Sequence, residues 1–289
     1  MFLVTQFIGL YVVNHYLAEE NNLPYGMDQP EIESNAEYLT LFPFIIIAFI
    51  IAITIMFFMS KFNLAVVLRL WFFIVVAIAL GLSFNAILSD FSSLTRASII
   101  AFVIALPLAY IKIFKQNFLI HNATELFIYP GIAAVFVPLL NLYTIIAFLI
   151  IISIYDAWAV WHSGFMQKMA TYQIKKLNIF GGFLVPSTTK AMKAKIKKMK
   201  LTMSKKQLSK KNIKVNVAIL GGGDVIFPII TAGVMLKLFT FYHSLFVIAG
   251  ATLGLGFLLM RSEKKKFYPA MPFITAGIFI GMIASYFIL

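Results

Sequence analysis

The sequence predicts an all-α polytopic membrane protein with nine transmembrane helices. Composition points there first: 61% of residues are hydrophobic and 12% charged, against about half and about a quarter in soluble domains. Apolar runs of spanning length recur along the whole chain. The basic residues gather on alternate connections between those runs. A span needs roughly 20 residues, so nine would use about 180. With 289 residues in all, no room is left for a sizeable soluble domain. Residues 1–289 therefore read as a single membrane domain.

The apolar segments fall at about 1–17, 39–59, 70–88, 95–113, 118–138, 141–161, 215–236, 240–260 and 269–289. The first starts at Met1 without a basic leader or a small-residue cleavage site, and reads as a retained span rather than a signal peptide. The fourth is the least regular, with Arg96 and Lys112 near its ends and Pro107 inside. Zero cysteines exclude disulfides, thiolate metal sites and a cysteine nucleophile.

Lys and Arg on cytoplasmic connections set orientation. With the N-terminus inside, the inner connections hold Lys61, Arg69, Lys112, Lys115, fourteen lysines between 162 and 214, Arg261 and Lys264 to Lys266, which is 22 of 24 basic residues. Arg96 and Lys237 remain outside, together with the acidic 18–38 connection. The N-terminus is thus expected in the cytoplasm and Leu289 outside. The 162–214 loop is lysine-rich, without acid or arginine. Nucleic-acid contacts favour planar, bidentate arginine, so the net charge of +13 is read as positive-inside bias and contact with anionic lipid, with no nucleic-acid partner. Within this loop, residues 179–186 form an apolar island too short to span, expected in the interface or between helices.

Three acids fall inside apolar segments: Glu125, Asp156 and Asp224. A carboxylate in hydrocarbon costs several kcal/mol, which makes each a functional candidate. Glu125 lies near the cytoplasmic end of the fifth span and reads as an interfacial acid within reach of water or lysine. Asp156 follows an almost unbroken apolar run, about five residues, or roughly 7–8 Å, from the inner end of the sixth span. Asp224 is expected about nine residues, or roughly 14 Å, into the seventh. The two spans are consecutive and antiparallel, which puts both carboxylates in the inner half of the membrane. Gly221-Gly222-Gly223 weaken the helix before Asp224 and let another backbone approach. Pro228 removes the N–H that would bond the Asp224 carbonyl, so a kink is expected there.

Two facing carboxylates suit either of two chemistries. One is aspartic proteolysis, in which a shared proton and a held water do the work. The other is a proton- or cation-coupled transporter or leak channel. Transporters often carry internal repeats, and neither aspartate segment is convincingly repeated.

Tyr155-Asp156, Gly221-Gly222-Gly223-Asp224 and Pro269-Ala270-Met271 resemble the Tyr-Asp, Gly-x-Gly-Asp and Pro-Ala-Leu motifs of the presenilin and signal-peptide-peptidase family of intramembrane aspartyl proteases. They fall in the family's order, on spans six, seven and nine, and Asp224 to Pro228 resembles the continuation seen in the peptidase branch and in archaeal homologues. The resemblance implies a presenilin-like fold, with Asp156 and Asp224 as the catalytic pair. It implies support from Tyr155, Gly221, Gly223 and Pro228, and an active site shaped by Pro269, Ala270 and Met271. Met271 stands where the family has Leu, a volume-conserving swap. The chain lacks the large insertions of animal presenilins and looks like a minimal prokaryotic, archaeal-type homologue in the plasma membrane. Prepilin peptidases, which share only the Gly-x-Gly-Asp element, are the alternative family.

No metal or organic cofactor is implied. The four histidines lack the His-Glu-x-x-His spacing of zinc proteases. The expected partners are the transmembrane segments of membrane-protein substrates and the lipid bilayer. Obligate partner subunits are not expected, and a homo-oligomer is compatible. Gly250-x-x-x-Gly254 and Gly277-x-x-x-Gly281 are expected to pack helices within the chain.

Overall fold

Hydrocarbon leaves no water to bond the backbone, so the chain folds into helices wherever it is apolar for long enough. The computed structural model describes residues 1–18, 23–27, 29–30, 32, 34–62, 64–91, 93–115, 117–163, 181–187, 216–262 and 268–289. All fourteen lysines of the 162–214 loop, Lys264 to Lys266 and most acids of the 18–38 connection lie outside the described residues.

Nine α-helices occur among the described residues. They are α1 (Phe2–Leu17), α2 (Asn35–Lys61), α3 (Ala65–Leu88), α4 (Leu94–Tyr110), α5 (Phe118–Phe136), α6 (Leu142–Trp158), α7 (Gly222–Leu238), α8 (Phe241–Arg261) and α9 (Met271–Ile288). Short π-helical turns follow α4 at Ile111–Lys115 and α6 at Ala159–Ser163. Seven helical segments are long and apolar enough to cross a membrane, while α1 and α7, with 16 and 17 residues, are shorter. The outward faces of α2, α3 and α9 carry exposed large side chains such as Phe44, Trp71 and Ile280. Such surface is stable where lipid covers it, and the protein is an integral, multi-pass membrane protein.

The core runs along α7. Val225, Ile229, Ile230 and Val234 of α7 cluster with Leu10 and Val13 of α1, Tyr129 and Ala133 of α5, and Val247 of α8. The α8–α9 contact uses the glycines that the sequence singled out. A Cβ on Gly250 would lie 2.1 Å from the Gly277 carbonyl oxygen, and one on Gly281 would lie 2.3 Å from that of Phe246. Backbone therefore meets backbone, an approach that small residues alone permit.

Sequence and structure differ at the seventh span. The apolar pattern suggests a helix over 215–236, with Asp224 deep inside. Instead, β2 (Asn216–Gly221) pairs antiparallel with β1 (Gly182–Ser187), and the helix begins at Gly222. The physical reason lies in the residues. Glycines at 221–223 weaken helix there, so the helix starts only at Gly222, and residues 216–221 find a strand partner in the apolar island. At 17 residues, α7 measures about 25 Å, less than the roughly 30 Å of hydrocarbon. Extended backbone at such depth is stable only when its polar groups are paired within the protein, and the hairpin supplies part of that pairing.

Candidate active site

Asp156 lies in the last turn of α6, immediately before a π-helical turn at Ala159–Ser163. Such turns recur at functional sites because they rotate side chains out of helical register. The helix is fixed at its other end by a capping box, in which Asn141 Oδ1 accepts from Thr144 N–H at 3.0 Å and Thr144 Oγ1 accepts from Asn141 N–H at 2.9 Å.

The Asp156 carboxylate reaches the start of α9. Its Oδ2 accepts from the Met271 N–H at 3.0 Å, and the Ala270 N–H also bonds it. Residues 270 and 271 are the N-cap and first residue of α9. Their N–H groups have no intrahelical partner, and a carboxylate there also meets the positive end of the helix dipole. Pro272 at the second position loses nothing, because its missing N–H would be an orphan anyway. The Pro269-Ala270-Met271 element therefore positions Asp156 through its backbone. Met271 and Pro269 are buried. One turn away, Ser153 Oγ donates to Thr275 Oγ1 at 2.7 Å and ties α6 to α9 a second time.

Asp224 occupies the third position of α7 and accepts from the N–H of Gly221, the N-cap. This is the carboxylate half of a capping box. The glycines act separately. A Cβ on Gly221 would sit 3.0 Å from Asp224 Oδ2, and one on Gly222 would sit 3.0 Å from the Tyr129 ring and hydroxyl. At Gly223 the nearest atom is 3.5 Å away, on Phe227. Gly221 thus makes room for the carboxylate itself, Gly222 for a neighbouring aromatic, and Gly223 leaves its backbone exposed. Pro228 is buried inside α7, four residues beyond Asp224, where it withholds the helical N–H from the Asp224 carbonyl.

The two aspartates lie close enough to interact electrostatically, and Asp156 is buried. The structure thus brings Asp156, Asp224, Gly221, Gly223, Ala270 and Met271 into one neighbourhood. Tyr155, beside Asp156, turns outward and is 37% exposed.

Sequence reasoning missed two groups around α7, Gln6 and Tyr129, and the full set of partners of a third, Glu125. Gln6 of α1 is fully buried and donates through Nε2 to the Val225 carbonyl at 3.0 Å. Tyr129 of α5 interacts electrostatically with both Glu125 and Asp224. Glu125, expected within reach of water or lysine, is 1% exposed and pairs with Lys112 at 2.5 Å. A readable signal was present, since His121 and Glu125 stand at i and i+4 with Asn122 between them, on one face of an apolar helix. Among the described residues no His, Asp and Glu cluster has the makings of a metal site.

Comparison with known proteins identifies the family and the fold. The family model described as signal-peptide peptidase, presenilin aspartyl protease matches residues 1–288. Two solved structures of a presenilin-family intramembrane aspartate protease, in different space groups, share the fold. One has a TM-score of 0.63 at 17% identity, covering 100% of this chain and 97% of that one. The other has a TM-score of 0.62 at 16% identity, covering 100% and 96%. No curated protein matches. With the family model spanning nearly the whole chain, the protein belongs to the signal-peptide peptidase, presenilin aspartyl protease family and is an intramembrane aspartyl protease.

Proposed function

We propose that Asp156 and Asp224 are the catalytic pair, and that they hydrolyse peptide bonds within or beside transmembrane helices of other membrane proteins. The reading is carried by two aspartates on consecutive helices that lie near enough to interact electrostatically, each accepting from backbone N–H at a helix start. A water held between them gives a proton to the ionised carboxylate and attacks the scissile carbonyl carbon. The protonated carboxyl donates to the carbonyl oxygen, and the tetrahedral intermediate collapses with a proton passing to the leaving amine. Tyr155, Gly223 and Pro228 border this chemistry. The substrate helix has to unwind locally, because its carbonyls are otherwise bonded along the helix. The test is cleavage of a single-span substrate by the purified protein, wild type against Asp224→Ala.

A pH profile checks the shared proton. With both carboxyls protonated there is no base, and with both ionised there is no acid, so the rate falls on both sides of an optimum. The two limbs belong to the pair and not to either residue alone. A turnover number flat from about pH 4 to about pH 9 contradicts the dyad.

The charge pattern supports an N-terminus in the cytoplasm and a C-terminus outside, and the resemblance to minimal archaeal-type homologues supports residence in a prokaryotic plasma membrane. Substrate transmembrane segments and lipid suffice as partners. The chain functions as a single membrane domain whose 162–214 loop joins the two catalytic helices on the cytoplasmic side. Its island, continuous with β1, restricts access to the aspartates, while its lysine tract is dispensable. Deleting 188–211 leaves four residues between β1 and β2, a normal hairpin length, so activity is expected to stay within about twofold of wild type. Deleting 179–186 removes the partner of β2 and is expected to lower the rate or move the cut. The reverse pattern, measured on the same substrate, places the loop's role in its charge.

A further inference from the structure

The hairpin leaves one edge of β1 to be satisfied. In an antiparallel pair, alternate residues turn their N–H and C=O groups away from the partner strand. In hydrocarbon those groups need partners within the protein. Side chains of α5 provide them. Asn122 Oδ1 accepts from the Leu184 N–H at 3.0 Å, and Asn122 Nδ2 donates to the Leu184 carbonyl at 2.8 Å. Glu125 Oε1 accepts from the Gly182 N–H at 3.2 Å, and His121 Nε2 bonds the Gly182 carbonyl at 2.8 Å. Lys112, from the π-helical turn after α4, closes the group. Its Nζ lies 2.5 Å from Glu125 Oε1 and 3.3 Å from His121 Nδ1.

Lys112, His121, Asn122 and Glu125 are all buried, at 6%, 8%, 3% and 1% exposure. A buried ion pair adds little stability by itself, and its better-attested use is to specify one arrangement over others. Here the arrangement it specifies is the position of β1, and β1 leads to the active site. Gly182 stands opposite Gly221 in the ladder, and the Gly222 N–H donates to the Gly181 carbonyl at 3.3 Å. The Gly221 N–H in turn bonds Asp224. Gly182 has φ of +150°, open to glycine and strained for other residues, so a side chain at this doubly gripped point carries backbone strain. Tyr129 lies against Phe183 at 5.8 Å between ring centroids and against Gly222, which packs the same corner.

We propose that Lys112, His121, Asn122 and Glu125 are positioning residues that stand in for a third strand, clamp β1 to α5, and through Gly182 and Gly221 set the Asp224 carboxylate for reaction. This rests on the reading of Asp224 as catalytic. Without the clamp the aspartates persist, but the hairpin moves against α5 and Asp224 samples unproductive positions.

The test uses the purified full chain, a single-span substrate, and the variants Asn122→Ala, Glu125→Gln, Glu125→Asp and Asp224→Ala. Three readouts are taken: amide hydrogen exchange over 182–187, kcat and KM separately, and the distribution of cleavage positions. Asn122→Ala and Glu125→Gln are each expected to speed exchange at the strand and lower kcat by about tenfold, with KM within about twofold. Glu125→Asp is expected to recover part of the loss. If Glu125→Gln fails to fold because Lys112 is left unpaired, Asn122→Ala decides, since it strands no charge. Unchanged exchange in Asn122→Ala overturns the clamp. Faster exchange with unchanged kcat overturns its link to Asp224. Cleavage by Asp224→Ala overturns the catalytic reading, whereas its loss beside a fully active Asn122→Ala leaves that reading standing and overturns only the proposed positioning of Asp224 by the clamp.

Discussion

Replacing either Asp156 or Asp224 by alanine is expected to lower kcat by about four orders of magnitude or more, and the double variant to be no slower than either single one. The reason is that the two carboxyls act as a unit. One takes the proton of the water and the other gives a proton to the carbonyl oxygen, so neither half retains the reaction. Structural consequences differ between the two. Asp156 accepts from the N–H groups that open α9, and alanine leaves those donors without an acceptor. Asp156→Asn keeps an acceptor there while removing the base, so it should be inactive yet closer to wild type in thermal stability than Asp156→Ala. Full cleavage by any of the purified single variants rules out the dyad. Equal stability of the asparagine and alanine variants rules out the proposed hold of Asp156 on α9.

The largest effect on stability is expected at the α8–α9 contact. A valine at Gly277 places its Cβ 2.2 Å from the Gly250 carbonyl oxygen, a contact with backbone that no rotamer relieves. The helices have to separate, at a cost of about 3 kcal/mol. Because α9 carries the N–H groups that hold Asp156, separation should also lower activity. Gly256 is the control, since a Cβ there meets nothing within 4 Å. Gly256→Ala should unfold at or above the wild-type temperature, in line with the better helix propensity of alanine. Thermal unfolding of the two variants in detergent checks this, and similar midpoints refute backbone contact as the basis of the packing.

How much of this was legible in the sequence follows from the range of each interaction. Spans of bilayer length, the bias of lysines toward alternate connections, and isolated acids in apolar runs are signals written in consecutive residues. They determined an all-α membrane protein with nine predicted spans and singled out Asp156 and Asp224 as candidates on helices able to face each other. The motif resemblance at Tyr155, Gly221 to Asp224 and Pro269 to Met271 pointed to an aspartyl protease, a family that the match over residues 1–288 shows, and made the same two residues its expected catalytic pair. The glycine spacings on α8 and α9 were also readable, because small residues at four-residue intervals have few other uses in a membrane helix.

The start of α7 was decided elsewhere. Local hydropathy makes 215–221 look like helix, and strand pairing with 182–187 overrides it. The same holds for Glu125, whose environment depends on Lys112 and on a strand 57 residues later. Asp156 meets its backbone donor at Met271 across 115 residues. Charge and hydropathy are properties of residues and survive in a linear reading. A hydrogen-bond partner for a buried carboxylate is a property of the packed chain, and in hydrocarbon, where no water competes for the bond, tertiary structure alone selects it.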